Sequence, residues 1–150
     1  WEFTKQYFID EWKAISVDGL EVDDAVNITR IKMSGSFIVA IDKDLLSLVG
    51  EHYNWRKKKW IITNKEQAYY KFWCDMIAGQ PGDGLICLKN KGEKYFEKME
   101  NKTPEGVLNE YIKHYSSENI GIEEFYKNYK CLRILESTSL FSFIFLAFPG

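Results

Sequence analysis

Two periodicities of apolar residues run through the first part of the chain, and they predict alternating helices and strands. Residues 2–13 carry aromatic and aliphatic side chains at helical spacing. The short apolar run 14–17 predicts a strand, and a helix with acids in its first turn is expected over about 21–31. The apolar run 37–41 has no polar alternation, which is typical of a strand buried on both faces of a parallel sheet. Strand, helix and strand in this order predict an α/β fold.

Helical patterns dominate the later part of the chain. Two short strands are expected at 53–55 and 60–62, on either side of the basic run 56–59. Cap signals and apolar stripes then predict helices at about 64–78, 93–99, from 104 onward, and 122–132. We therefore divide the chain into an α/β part, residues 1–63, and a helical part, residues 64–150, with a helix–loop–helix at 66–100. The basic run is typical of a solvated hairpin tip, with contact to phosphates as the alternative.

Carboxylates fall at the ends of the predicted elements. One group opens the helix after the first strand, a second follows the run 37–41, and a third lies in a Pro-Gly-rich break; these residues are Glu21, Asp23, Asp24, Asp42, Asp44 and Asp83. Ligand sites of open α/β sheets lie at the carboxyl ends of the strands, so we expect the groups to converge. Oxygen ligands without Cys or His suit Mg²⁺ or Mn²⁺, and a pair of such ions is the usual machinery for cutting phosphodiesters. Helix capping and solvated loops are the alternative interpretation of the same acids.

Composition narrows the class of protein. The chain has 150 residues, of which 45% are hydrophobic and 28% charged, so it is globular rather than disordered. A formal net charge of −2 gives no global nucleic-acid signal. Three cysteines without close spacing fit neither a zinc site nor a disulfide framework, which favours free thiols in a reducing cytoplasm. The apolar run 140–148 is shorter than the about 20 residues that span a bilayer, so no membrane partner is expected.

Three segments resemble motifs of the 5′-nuclease superfamily, which includes flap endonucleases and bacteriophage 5′–3′ exonucleases. The run V-D-G-L-E-V-D-D at 17–24 resembles the family's G-x-E-A-D-D signature. The run I-V-A-I-D-K-D-L at 38–45 resembles its G-D-x-D-L strand end, with Ile41 where Gly is usual. Residues 79–94 align without gaps to the loop G-D-x-x-D-N-I-P-G-I-P-G-I-G-P-K. The resemblance covers about residues 10–102, and within the superfamily the chain looks most like the bacteriophage enzymes.

The resemblance implies a fold and a metal site. The fold would be part of a parallel-sheet, PIN-like nuclease core followed by a subdomain of the helix–hairpin–helix type. Two Mg²⁺ or Mn²⁺ ions would be bound, one by Glu21 and Asp23 and the other by Asp42, Asp44 and Asp83. Asp24 would lie in the outer shell of this site. Catalysis would rest on Asp23, Asp42 and Asp44.

The resemblance also implies that the loop after residue 79 binds the phosphates of DNA. Its candidate contacts are Lys89, Asn90, Lys91, Gly92 and Lys94. Gln80 stands where the family often has Asp, and Cys87 and Asn90 replace glycines. These replacements argue against the K⁺ ion that such loops often hold, because glycine supplies the backbone freedom of the tight hairpin. A plain helix–helix connection with solvated lysines is the alternative interpretation.

The family's chains begin upstream, with a strand that carries a first metal-binding Asp and with a helical arch. Neither is recognisable here, so we expect a C-terminal part that needs an N-terminal partner segment, dimerises, or folds its apolar tail onto itself. The expected function is metal-dependent, structure-specific hydrolysis of DNA at 5′ flaps or free 5′ ends, in replication or repair, in the cytoplasm of a bacterial or phage-infected cell. Little activity is expected of the isolated chain without the upstream ligand. The alternatives are a non-catalytic DNA-binding fragment or split subunit, and a PIN-type ribonuclease.

Overall fold

The computed structural model describes residues 1–136, and the apolar run 140–148 lies outside them. The described part is an α/β fold with six α-helices and a three-stranded mixed sheet. It divides into two compact units. The first contains residues 1–34 and the described residues from Ile134 onward, and the second contains Gly35–Arg133. The boundary predicted between residues 63 and 64 falls inside the second unit.

Helices α1 (Glu2–Trp12) and α2 (Val22–Lys32) form the first unit, as their periodicity predicts. Two side chains of α2 hold residue 135. Asp24 Oδ1 accepts a hydrogen bond from Leu135 N at 2.7 Å, and Asn27 Nδ2 donates to Leu135 O at 3.0 Å. The strand predicted at 14–17 is wrong, because these residues pair with no strand in the described part of the unit and Ile15 is 85% exposed.

The sheet of the second unit has the order β1 (Ile38–Val39), β2 (Gly50–Asn54), β3 (Lys59–Thr63). Strand β1 runs parallel to β2, whereas β2 and β3 form an antiparallel hairpin. Of the two or three parallel strands that the sequence predicts, β1 and β2 are parallel in the described sheet, whereas β3 is antiparallel to β2. The run 37–41 is also not buried on both faces: Ile38 is 5% exposed but Val39 is 54% exposed, because β1 is a two-residue strand at the sheet edge.

Four helices build the core of the second unit, close to the predicted positions. They are α3 (Lys65–Ala78), α4 (Glu93–Lys98), α5 (Pro104–Tyr115) and α6 (Glu118–Leu132). Asn64 and Gln67 close a reciprocal capping box at the start of α3, with hydrogen bonds of 2.8 and 2.9 Å. No helix within residues 1–136 is long and apolar enough to cross a membrane.

Buried hydrogen bonds join these helices across the core. Tyr111 of α5 is fully buried and donates through its hydroxyl to Met76 O of α3 at 2.6 Å. Asn128 Nδ2 of α6 donates in turn to the same hydroxyl at 3.1 Å. A buried polar group without a partner would cost about 1–3 kcal/mol, so this chain of bonds fixes how α3, α5 and α6 pack. The rigid core positions the segments before and after α3 that carry the candidate site.

Candidate functional site

An open cleft of about 790 Å³ in the second unit is lined by acidic side chains from separate segments. Asp42 and Asp44 come from the segment after β1, and Asp83 comes from the loop after α3. The structure thus brings these three predicted residues to one cleft, which we call the acidic cleft. Asp75 of α3 also lines it, although no sequence pattern had indicated that residue.

A tight turn presents Asp42 and Asp44. Asp42 Oδ1 accepts a hydrogen bond from Asp44 N at 3.0 Å, and a 3₁₀ helix begins directly at Asp44 (Asp44–Ser47). Leu45 and Leu48 are buried below the turn, and His52 Nε2 donates to Leu48 O at 3.0 Å. Apolar anchors and a buried histidine therefore fix the backbone that carries the two carboxylates, while the carboxylates face the opening.

The position of Asp83 depends on Gly79, which allows the chain to turn sharply at the end of α3. Gly79 ends α3 with φ 73° and ψ −172°, a conformation that is essentially restricted to glycine. A Cβ at this position would lie 2.3 Å from Leu85 O. The close approach lets Gln80 and Leu85 exchange two backbone hydrogen bonds of 2.8 and 3.1 Å. These bonds close the short loop that carries Asp83, whose N–H donates to Gln80 O at 3.0 Å.

A lysine lies among the acids. Lys71 Nζ forms an ion pair with Asp75 Oδ2 one turn further along α3, and it lies 3.7 Å from Asp44 Oδ1. Gln80 Nε2 donates to the same Asp75 oxygen at 3.4 Å, so Gln80 supports the buried carboxylate. The sequence signal for this arrangement was the i,i+4 pair of Lys71 and Asp75, which resembles an ordinary surface pair on a helix.

The acidic cleft disfavours negative charge. Burial raises the pKa of Asp44; Lys71 opposes this increase, and repulsion from Asp42, Asp75 and Asp83 adds to it. Burial likewise raises the pKa of Asp75, against the hydrogen bonds from Lys71 and Gln80. A bound cation would relieve this repulsion, since an opposite charge favours the ionised form of a carboxylate.

The donor chemistry fits a hard divalent cation, although the side chains are not gathered around one point. The acids that line the acidic cleft offer oxygen atoms. In residues 1–136, no three His, Cys, Asp or Glu side chains are close enough together to hold a metal ion. Cys74 also lines the cleft, but burial raises the pKa of its thiol to about 11, so it is neither a ready nucleophile nor a ready soft ligand.

The other predicted ligands belong to the first unit. Glu21 is the N-cap residue of α2, where its side chain accepts no capping hydrogen bond, and Asp23 and Asp24 lie in the first turn. Asp24 is engaged with the backbone of Leu135. Asp24 therefore has a structural partner distant in sequence, a role that no sequence pattern indicated.

The predicted DNA-binding loop is anchored from both sides. Cys87 and Leu88 are buried in the core, and Leu88 N donates to Ile77 O at 3.1 Å. Cys87 thus fills a core position. Asn90 has a left-handed backbone with φ 65°, which keeps a tight turn without a glycine.

The lysines of this loop have different environments. Lys89 and Lys94 are exposed, as are Asn90 and Gly92. Lys91 instead forms an ion pair with Glu110 of α5 at 2.6 Å and lies over the ring of Tyr95, 4.4 Å from its centroid. Desolvation opposes the ionisation of Glu110, but hydrogen bonds from Lys91, Tyr95 and Lys113 lower its pKa to about 2. Lys91 therefore fastens the loop to α5.

The chain matches no protein-family model, and no curated protein or solved structure matches it either.

Proposed function

We propose that this chain carries part of the active site of a divalent-metal-dependent, structure-specific 5′-nuclease that hydrolyses DNA phosphodiesters. The observation that supports the proposal best is the meeting of Asp42, Asp44 and Asp83 at one cleft. Two of these residues are separated from the third by the β2–β3 hairpin and the whole of α3. Two motifs of the resemblance are thus adjacent in space although distant in sequence.

Each residue of the acidic cleft has a role in the proposed mechanism. Asp42, Asp44 and Asp83 would contribute carboxylate oxygens to the cations, and the remaining ligands would come from the upstream segment that the resemblance implies. When bound, the cations would activate a water and stabilise the leaving oxygen. Asp75 holds the ammonium of Lys71 at the cleft, where it can donate to a non-bridging phosphate oxygen. Gln80 donates a hydrogen bond to Asp75, so the carboxylate that pairs with Lys71 is itself held by the loop that follows α3.

A second candidate function, DNA binding without catalysis, is favoured by the same lysine. Lys71 Nζ already lies beside Asp44 and Asp75 and partly neutralises the carboxylates that a metal would need. A chain of this kind would hold DNA through the exposed lysines of the 83–94 loop and obtain catalytic groups from a partner. A PIN-type ribonuclease, which would act on RNA rather than on DNA, is the other candidate function.

The discriminating experiment incubates the full chain with a 5′-flap DNA and with a single-stranded RNA, in Mg²⁺, in Mn²⁺ and in EDTA. Metal-dependent cutting of the flap that is abolished in Asp42→Asn and Asp44→Asn supports the nuclease. Asp10→Asn, an exposed residue of α1, is the matched control and should cut normally. Binding of flap DNA without cutting would favour the binding protein, and cutting of RNA alone would contradict the flap nuclease.

A further inference from the structure

A second opening, of about 620 Å³, shares a wall with the acidic cleft. Both are lined by residues 41–43, which include Asp42 and Lys43. The far side of the second opening is formed by the β2–β3 hairpin. Its polar lining there consists of His52, Asn54, Arg56 and Lys57. We call this opening the basic cleft.

The hairpin turn presents two of its three basic residues to the basic cleft. The strands pair as far as Asn54 and Lys59, so residues 55–58 form the turn. Asn54 Oδ1 accepts a hydrogen bond from Lys57 N at 2.9 Å, and Lys58 takes a left-handed backbone with φ 50°. Arg56 and Lys57 line the opening. A side chain–backbone bond therefore shapes the turn, and its basic side chains are exposed to solvent.

Among the described residues, the basic cleft is lined by more cations than acids. No ion pair within residues 1–136 involves Lys43, Arg56 or Lys57. Asp42, on the shared wall, is the one acid among the described residues that line it. The lysines that do form ion pairs in this part of the chain are Lys71, Lys91, Lys113 and Lys127. Positive charge that is concentrated at an opening and lacks internal partners raises the local concentration of anions.

We propose that the basic cleft binds the internucleotide phosphates of a nucleic-acid strand, next to the phosphodiester that lies at the acidic cleft. The proposal rests on the proposed function and names the part of the molecule that holds the strand beside the scissile bond. The shared wall is three residues long and spans at most about 10 Å, so adjoining phosphates of one strand can lie in the two clefts. The guanidinium of Arg56 suits bidentate contact with a phosphate, and Lys43 and Lys57 supply point charges.

The test measures binding of a short, fluorescently labelled single-stranded DNA by anisotropy in EDTA, over a series of salt concentrations. Arg56→Ala/Lys57→Ala should weaken binding and lower the slope of log K against log salt by about 1.4, since each phosphate contact contributes about 0.7 for a single strand. Lys65→Ala/Lys130→Ala makes the same change of charge at positions outside both clefts and should leave the slope unchanged.

Two further arms separate specific strand binding from other causes. Arg56→Lys/Lys57→Arg keeps both charges and should keep the slope, whereas a loss there would show a disturbed hairpin and overturn the proposal. Inorganic phosphate at the same total phosphate concentration should compete poorly with the strand. Equal competition would show a site for a single anion and would also overturn the proposal.

The measurement is independent of the nuclease proposal. Because EDTA removes divalent metal ions, a chain that never cuts DNA still shows the reduced slope if the basic cleft holds the strand. Equal salt slopes for the two double-alanine variants would overturn the proposal that the basic cleft binds a strand. They would not bear on the metal site proposed at the acidic cleft. Far-UV circular dichroism of each variant checks that the substitutions leave the fold unchanged.

Discussion

The contact between the 83–94 loop and α5 makes a quantitative prediction about Glu110. Its carboxylate is buried and accepts hydrogen bonds from Lys91 at 2.6 Å, from Lys113 at 3.0 Å and from the Tyr95 hydroxyl. Together these partners lower the pKa of Glu110 from 4.5 to about 2. When folding lowers a pKa by one, the ionised group contributes about 1.4 kcal/mol to the free energy of unfolding. The ionised carboxylate of Glu110 therefore stabilises the fold by up to about 3 kcal/mol.

The substitution Glu110→Gln removes the charge and keeps the shape of the side chain. We expect a loss of about 2–3 kcal/mol at neutral pH, which lowers the melting temperature by roughly 4–12 °C for a chain of this length. The pKa of Glu110 is depressed in the folded state, so its contribution is present above its ordinary pKa and is lost as the pH falls from 4.5 toward about 2. The difference in melting temperature between the wild type and the variant should therefore become smaller as the pH falls through this interval.

The assay is thermal unfolding followed by far-UV circular dichroism at a series of pH values. Glu124→Gln is the matched control, because the carboxylate of Glu124 pairs with Lys127 at 3.3 Å near the surface, where such pairs contribute about 0.5 kcal/mol or less. If Glu110→Gln were as mild as Glu124→Gln at neutral pH, or if its effect did not depend on pH in this range, the buried ion pair would not fasten the loop.

Three further outcomes are expected. Lys94→Ala should weaken DNA binding and lower the salt slope by about 0.9 for duplex DNA, whereas Lys91→Ala should mainly lower the melting temperature; equal effects of the two on binding would contradict this division. Gly79→Ala should cost at least about 1–3 kcal/mol from the backbone alone, measured by urea unfolding, while Gly82→Ala, with open space around it, should be nearly neutral. Asp44→Asn should raise the melting temperature at neutral pH by removing a charge that burial disfavours, and this gain should disappear below the ordinary pKa of 3.8; a constant gain would contradict the raised pKa of Asp44.

The helices were predictable because their signals are local. A capping residue such as Asn64, and Thr103 followed by Pro104, mark helix starts in the sequence itself, and the structure confirms both positions. The apolar run 14–17 predicts a strand, but it pairs with no strand among the described residues. Strands depend on partners elsewhere in the chain, so propensity alone overestimated the parallel sheet.

The candidate site was predictable in part for the same reason. Asp42, Asp44 and Asp83 stand at element ends, where a sequence pattern can mark them. Lys71 and Asp75 lie inside a regular helix, and only the three-dimensional arrangement shows that they face the acidic cleft. The sequence likewise does not show that Arg56 and Lys57 of the basic turn line a cleft, because only the three-dimensional structure reveals that opening.

We propose that Asp42, Asp44 and Asp83 of the acidic cleft take part in binding a divalent cation, and titration calorimetry of the full chain with Mn²⁺ tests this most directly. The expected result is a binding isotherm for the wild type and for the control Asp10→Asn, and a loss of that binding in Asp42→Asn, Asp44→Asn and Asp83→Asn. Binding of Mn²⁺ with the same affinity in all four variants, or no binding by the wild-type chain, would contradict the account.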